Sequence, residues 1–187
     1  MELPSPDEHT KVRLKNRHDK GGRYMSRKCF YSFHYAEDNW RVATVKNIGS
    51  VEGQPIVSSN EFEQIKAKGD DAVKKWINGN MAGRSTLIVL IGANTAGRKW
   101  VDYEIEYAWS QKKAILGINI HKLLDRNGNS TSKGANPFAN WTVGTQKTPM
   151  SNYAKVYDPA GADSKAVYAS ISNNIEGWIE EAIRLRG

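Results

Sequence analysis

An α/β domain, in which helices cover both faces of a parallel sheet of about five strands, is what this 187-residue sequence predicts. Three observations carry the prediction. Ser85 to Ile91 is an uncharged run of mostly branched apolar residues between Arg84 and Gly92, the pattern of a strand buried on both faces. Ala114 to Ile120 repeats that pattern, apolar apart from Asn119. Around these runs lie stretches of helical periodicity, and strands that alternate with helices at this spacing pair in parallel through right-handed crossovers. The strand order this implies is flavodoxin-like.

Taken in order, residues 1–24 are polar and contain Gly21-Gly22. Val12 and Leu14 alternate with basic residues, which admits a short edge strand, but a flexible basic extension is the expectation. Met25-Ser-Arg-Lys28 opens the globular part, so the chain divides into residues 1–24, which are an appended arm, a tag or an upstream start, and a domain over residues 25–187. Lys28 to Phe33 forms the first strand, with Cys29, Tyr31 and Phe33 on one face and Phe30 and Ser32 on the other. Asp38 is placed to cap a short helix through Val45. Two glycines and Pro55 make Ile48 to Ser59 a loop that holds a short strand at Ile56-Val57. Asn60-Glu-Phe-Glu63 resembles a capping arrangement, and Phe62, Ile65, Val73, Trp76 and Ile77 keep one helical stripe to Asn78.

After the Gly92 to Gly97 turn, a helix runs from Arg98 to Lys113, with a basic last turn suited to its dipole. His121 to Thr148 is long, polar and rich in Gly, Asn, Ser and Lys. Loops of that length are usually functional or mobile, so it is either a coupling loop over a pocket or an inert surface excursion. Lys155-Val-Tyr157 gives a short edge strand. Val167, Ile171, Ile175, Trp178, Ala182 and Leu185 then define a closing helix from Ser164 to Arg186.

Composition excludes several classes. No apolar run reaches the 18 or more residues a membrane span needs, and the first apolar run, at Cys29, is a strand rather than a leader. The single cysteine allows no internal disulfide and no CxxC metal pair, which fits a reducing cytoplasm; Cys29 itself reads as a small buried hydrophobe. The net charge of +7 points toward nucleic acid only superficially, because residues 1–28 hold eight Lys/Arg against four Asp/Glu and leave +3 for the other 159 residues. His9, His18, His34 and His121 are not spaced as a metal site, and GxGxxG, P-loop, HExxH and GxSxG motifs are all missing.

What remains is one carboxylate. Counting about 100° per residue along the helix that follows the Gly92 turn, Val101, Ile105 and Ala108 share a buried face while Asp102 and Glu106 point to water. Glu104 falls between the apolar stripe and an aromatic edge of Trp100, Tyr103 and Tyr107. A carboxylate there is partly desolvated, which is costly without compensation. It is either a boundary glutamate paired with an arginine such as Arg98 or a functional group. Ser32, His34 and Tyr35, at or beyond the carboxyl end of the first strand, lie where open α/β sheets bind ligands; for His34 a capping role is the other reading.

Trp100-Val-Asp-Tyr-Glu104 after a core strand, Phe30-Tyr-Ser-Phe-His-Tyr35 followed by Asp38, and Ser132-Lys-Gly-Ala-Asn-Pro-Phe138 together resemble the TIR-like family, in particular the branch of the bacterial Thoeris antiviral system. The resemblance spans Met25 to Phe138 and extends to the C-terminal helix. It implies Glu104 as the catalytic residue of an enzyme that cleaves the nicotinamide–ribose bond of NAD+ and forms a cyclic ADP-ribose-type messenger. NAD+ is then the substrate and no cofactor or metal is implied. Phe33, Tyr35 and Trp100 would wall the pocket beside Ser32 and His34, and Asn94 and Arg98, with Lys99 or backbone N–H groups of the Gly92 to Gly97 loop, would meet the pyrophosphate.

The resemblance also implies homo-oligomer formation on activation, a phage-derived trigger, and a separate effector reached through the diffusible nucleotide. In TIR domains the loop near the second strand gates the pocket or mediates contacts, and Val45 to Ser59 falls there. The alternative is a non-catalytic TIR-like interaction module. A nucleic-acid or membrane partner is not expected.

Overall fold

The computed structural model describes residues 1–3, 27–48, 51–55 and 58–187. Its central sheet has five parallel strands, which lie side by side in the order Val51–Glu52 (β3), Arg27–Ser32 (β2), Thr86–Ile91 (β4), Ala114–Asn119 (β5) and Val156–Tyr157 (β8). The predicted α/β, flavodoxin-like architecture is therefore present. Every residue of β4 and β5 is buried, as charge-free runs in central strands must be. The helices are α1 (Tyr35–Lys46), α2 (Ser59–Lys66), α3 (Asp70–Met81), α4 (Lys99–Ser110) and α5 (Ser164–Arg186).

Several expected boundaries move, each for a local reason. The stripe read as one helix to Asn78 is two, because Lys68-Gly69 breaks it and Gly69 takes φ 96°, a conformation glycine reaches without strain. The capping box of α2 is built by Ser58 and Glu61, two residues earlier than expected. Helix α4 stops at Ser110, so Lys112 and Lys113 do not form its last turn; Lys112 has φ 55°. Asp38 does not cap α1. His34 occupies that position without a side-chain bond, and Asp38 lies inside the first turn, buried.

The second strand is Val51–Glu52, while the expected strand at Ile56-Val57 lies outside the described residues. Beyond it, Gln54 continues the pairing with its side chain: its Oε1 accepts from Tyr31 N (2.8 Å) and its Nε2 donates to Tyr31 O (2.7 Å).

Val12 and Leu14, with the rest of residues 4–26, also lie outside the described residues. Glu2–Leu3 (β1), however, pairs in parallel with Thr142–Val143 (β6), which pairs antiparallel with Thr148–Pro149 (β7), and Leu3 is buried. Of this second, three-stranded sheet, β6 and the start of β7 arise inside the segment read as a loop. Leu123, Phe138, Trp141 and Val143 anchor that segment in the core, so it is packed rather than a surface excursion. Among the described residues, no helix is long and apolar enough to cross a membrane.

Candidate active site

The carboxyl edge of the sheet is set by the ends of β2 and β4. Ser32 closes β2 and is fully buried; after it the chain passes Phe33 and His34 and enters α1 at Tyr35. Phe33 stacks on Tyr35 with centroids 4.2 Å apart, Tyr35 stacks on Phe62 at 4.2 Å, and Trp76 meets both Tyr35 and Phe62 edge-on. These rings are core as much as wall, and they fix the start of α1.

Glu104 comes to this place from the opposite direction. Helix α4 packs on β4 and β5 through Val101, Ile105 and Ala108, and turns Glu104 inward until only 2% of it is exposed. The burial exceeds the partial desolvation expected from spacing. It pushes the Glu104 carboxyl up to about 8; the Ser32 hydroxyl opposes the rise without closing a hydrogen bond of ordinary geometry. Oε2 has no hydrogen-bond partner, and no cation among the described residues pairs with the group. The carboxyl is therefore mostly neutral at pH 7. Burial, with Glu104 as the lesser cause, also holds the Tyr35 hydroxyl above its ordinary range.

The expected alternative, an ion pair with Arg98, does not form. Arg98 is exposed at the N-terminus of α4, and its Nε donates to Asn94 O at 2.9 Å. Asn94 in turn donates through Nδ2 to both carboxylate oxygens of Glu37, at 3.2 and 2.9 Å, and His34 Nδ1 lies 3.4 Å from Glu37 Oε2. The Asn94 bond, opposed by slight burial and helped by His34, holds the Glu37 carboxyl below its usual range. The Gly92 N–H is occupied by Thr95 Oγ1 at 2.9 Å, so that donor of the turn is not open to an anion. Trp100 is half-buried, edge-on to Tyr103 at 6.2 Å, with Lys99 Nζ 4.8 Å from its ring centroid.

Two groups emerge. Glu104, Ser32, Tyr35 and Phe33 meet at the end of β2, with Trp100 one helical turn before Glu104. His34, Asn94 and Arg98 form a separate polar cluster, joined by Glu37, which the sequence did not single out.

A third layer closes over the same edge. A Cβ on Gly92 would collide with the Asp38 carboxylate, and one on Gly134 would collide with the Gly92 carbonyl, so both positions need glycine for close approach. Gly134 belongs to the Ser132 to Phe138 stretch, which thus lies against the turn before α4. Its Gly-x-Asn-Pro-Phe pattern was visible in sequence; its contact with Gly92 was not. Among the described residues no cluster of His, Cys, Asp and Glu suits a metal ion. Cys29 is buried, its thiol pushed up to about 12 by desolvation, and takes no part.

Comparison with known proteins places the chain in a family. Residues 30–125 match the family described as Thoeris protein ThsB, TIR-like domain. A Bacillus cereus (strain MSX-D12) protein named "Putative cyclic ADP-D-ribose synthase ThsB1" is 36% identical over 119 residues, covering 61% of this chain and 62% of the relative. The chain thus matches about three fifths of that relative's length.

Proposed function

The chain belongs to the Thoeris ThsB TIR-like domain family, and from that premise we propose that it cleaves the nicotinamide–ribose bond of NAD+ and closes the product into a cyclic ADP-ribose-type nucleotide. One observation carries the reading: Glu104 is a buried carboxyl with no cation beside it among the described residues, at the carboxyl end of β2 near Ser32 and Tyr35. Such a group is unfavourable in the empty protein and becomes favourable when a cation arrives. The nicotinamide ring of NAD+ carries a positive charge, so substrate entry would draw the proton off Glu104 and leave a carboxylate facing the ribose.

The reaction asks little more. As the C1′–N bond breaks, both electrons go to the pyridine nitrogen and nicotinamide leaves neutral, so no general acid is required, in contrast to most glycosidases. The ribosyl group left behind is oxocarbenium-like, and Glu104 offsets its charge and orients its hydroxyls. A hydroxyl or ring nitrogen of the same molecule then gives its electron pair to C1′, closing the cycle with loss of a proton; water instead gives ADP-ribose, also with loss of a proton. Trp100, Phe33 and Tyr35 wall the ribose, while Asn94, Arg98 and His34 lie where the pyrophosphate would pass.

NAD+ enters as substrate and the reaction calls for no cofactor. The proposal extends to a cytoplasmic role in anti-phage defence, in which a phage-derived trigger promotes homo-oligomer formation and the nucleotide reaches a separate effector. The name of the Bacillus cereus relative supports formation of the cyclic nucleotide.

Incubation of the full chain with NAD+, with and without lysate of infected cells, followed by nucleotide chromatography, tests the reading. Nicotinamide and a cyclic nucleotide are expected, and both disappear with Glu104→Gln. No turnover at any protein concentration in either condition would leave the non-catalytic interaction module as the better description.

A further inference from the structure

Arg41 is 5% exposed, and its guanidinium is spent largely on a distant part of the chain. Its Nε donates to Leu123 O at 2.9 Å and one terminal nitrogen to Asn129 O at 3.0 Å, with Asp125 Oδ2 3.8 Å away. The other terminal nitrogen meets Asp38 Oδ1 at 3.2 Å and Glu37 O at 3.4 Å. A single side chain of α1 thus holds the first part of the segment that follows β5. On its other flank the same segment is seated by Gly134 against Gly92, and Gly92 rests on Asp38, which Arg41 also binds. Asp38, Gly92 and Gly134 form a stack across the edge where β2 and β4 end, and Arg41 ties that stack to the segment over it.

We propose that Arg41 is a positioning residue that, by holding residues 121–131 down, decides whether the ribosyl group is closed on itself or captured by water. The inference rests on the reading of the preceding section. Both fates begin with the same broken C1′–N bond. In one, an internal nucleophile forms the new bond to C1′; in the other, a water oxygen forms it; a proton is released in both. The first prevails when the edge is covered and bulk water is kept out. Lysine cannot take over, because one ammonium cannot present a planar fork to acceptors on two sides. Phe138, Trp141 and Val143 remain as anchors, so a loosened segment stays attached to a folded protein.

The test uses the full chain, NAD+ and chromatography of cyclic against linear product, with hydrogen exchange followed on peptides covering residues 121–131. In Arg41→Lys, total nicotinamide release should stay within about threefold of the parent while the cyclic-to-linear ratio falls roughly tenfold. Exchange in residues 121–131 should quicken. Asp125→Ala changes no residue of α1, but it removes the 3.8 Å ion pair with Arg41 and the turn that Asp125 Oδ1 makes with the N–H groups of Asn127 and Asn129; it should move the ratio the same way by roughly threefold. Faster exchange with an unchanged ratio overturns the inference, as does unchanged exchange in both variants. A parent that makes only linear ADP-ribose also overturns it, while leaving NAD+ cleavage standing. A parent with no turnover defeats the functional reading itself, and with it product control by Arg41; the exchange measurement still shows whether Arg41 holds the segment.

Discussion

Asp38 on α1 and Glu104 on α4 are both acids buried near one edge of one sheet, 1% and 2% exposed, and they have been treated in opposite ways. Asp38 has Arg41 at 3.2 Å; burial still raises its carboxyl, and the guanidinium opposes the rise. Among the described residues, Glu104 has only a serine hydroxyl opposing the same desolvation. A buried acid with its own cation is part of the structure and is damaged by losing that cation. One without a cation is a standing cost to the fold, relieved only by what comes to it. The contrast separates the residue that shapes the site from the one suited to act in it.

Replacing Glu104 is the strongest way to break this comparison. Glu104→Gln should cut NAD+ turnover by at least about a thousandfold, the scale of losing a group that stabilises transition-state charge. The same change should make the protein more stable. A carboxyl raised from 4.5 to about 8 keeps its proton on folding, so the native state binds more protons than the unfolded chain between those pH values and stability falls as pH rises through the window. A neutral carboxamide in its place carries no such dependence. Denaturant titration should show a gain on the order of 3 kcal/mol at pH 8 and almost none at pH 4. Loss of stability at pH 8 would mean that Glu104 is structural.

Arg41→Met should do the opposite, costing about 3–5 kcal/mol in the same titration by leaving Asp38 buried without its partner. A pH profile sharpens the picture at intermediate scale. If the carboxylate is the active form, kcat/KM should rise with pH toward a plateau above about 8 and be lower by roughly 30-fold at pH 6.5; a flat profile would remove Glu104 from the free-enzyme titration. The exposed pair Lys66–Glu63, at 2.9 Å, completes the series. Lys66→Gln should change stability by no more than about 0.5 kcal/mol, because water already screens what the pair offers.

Much of this was legible in the sequence where one physical demand dominates. Ser85 to Ile91 and Ala114 to Ile120 are buried on both sides and show it by having no charge. Glu104 could be placed off the solvent face by counting residues. Its depth could not, because Ser32 and Tyr35, which meet it, come from β2 and the start of α1, far from it in sequence. Asp38 and Arg41 stand at the spacing of an ordinary surface pair, and only the segment brought over them makes them interior. Gly69 was read through because the apolar stripe continues on both sides of it. The long segment after Ile120 reads as a loop by composition, yet Leu123, Phe138, Trp141 and Val143, scattered among its polar residues, were the sign of a packed one.

The pairing of Gln54 with Tyr31 bears on how copies of this chain could meet. With a carboxamide occupying both the N–H and the carbonyl of Tyr31, β2 has nothing at that point to lend to an incoming strand, and an open margin of that kind is the usual route to edge-to-edge association. The seal protects the crowded end of the sheet from β-type polymerisation. Any assembly that brings protomers together there would have to dock through helices and loops.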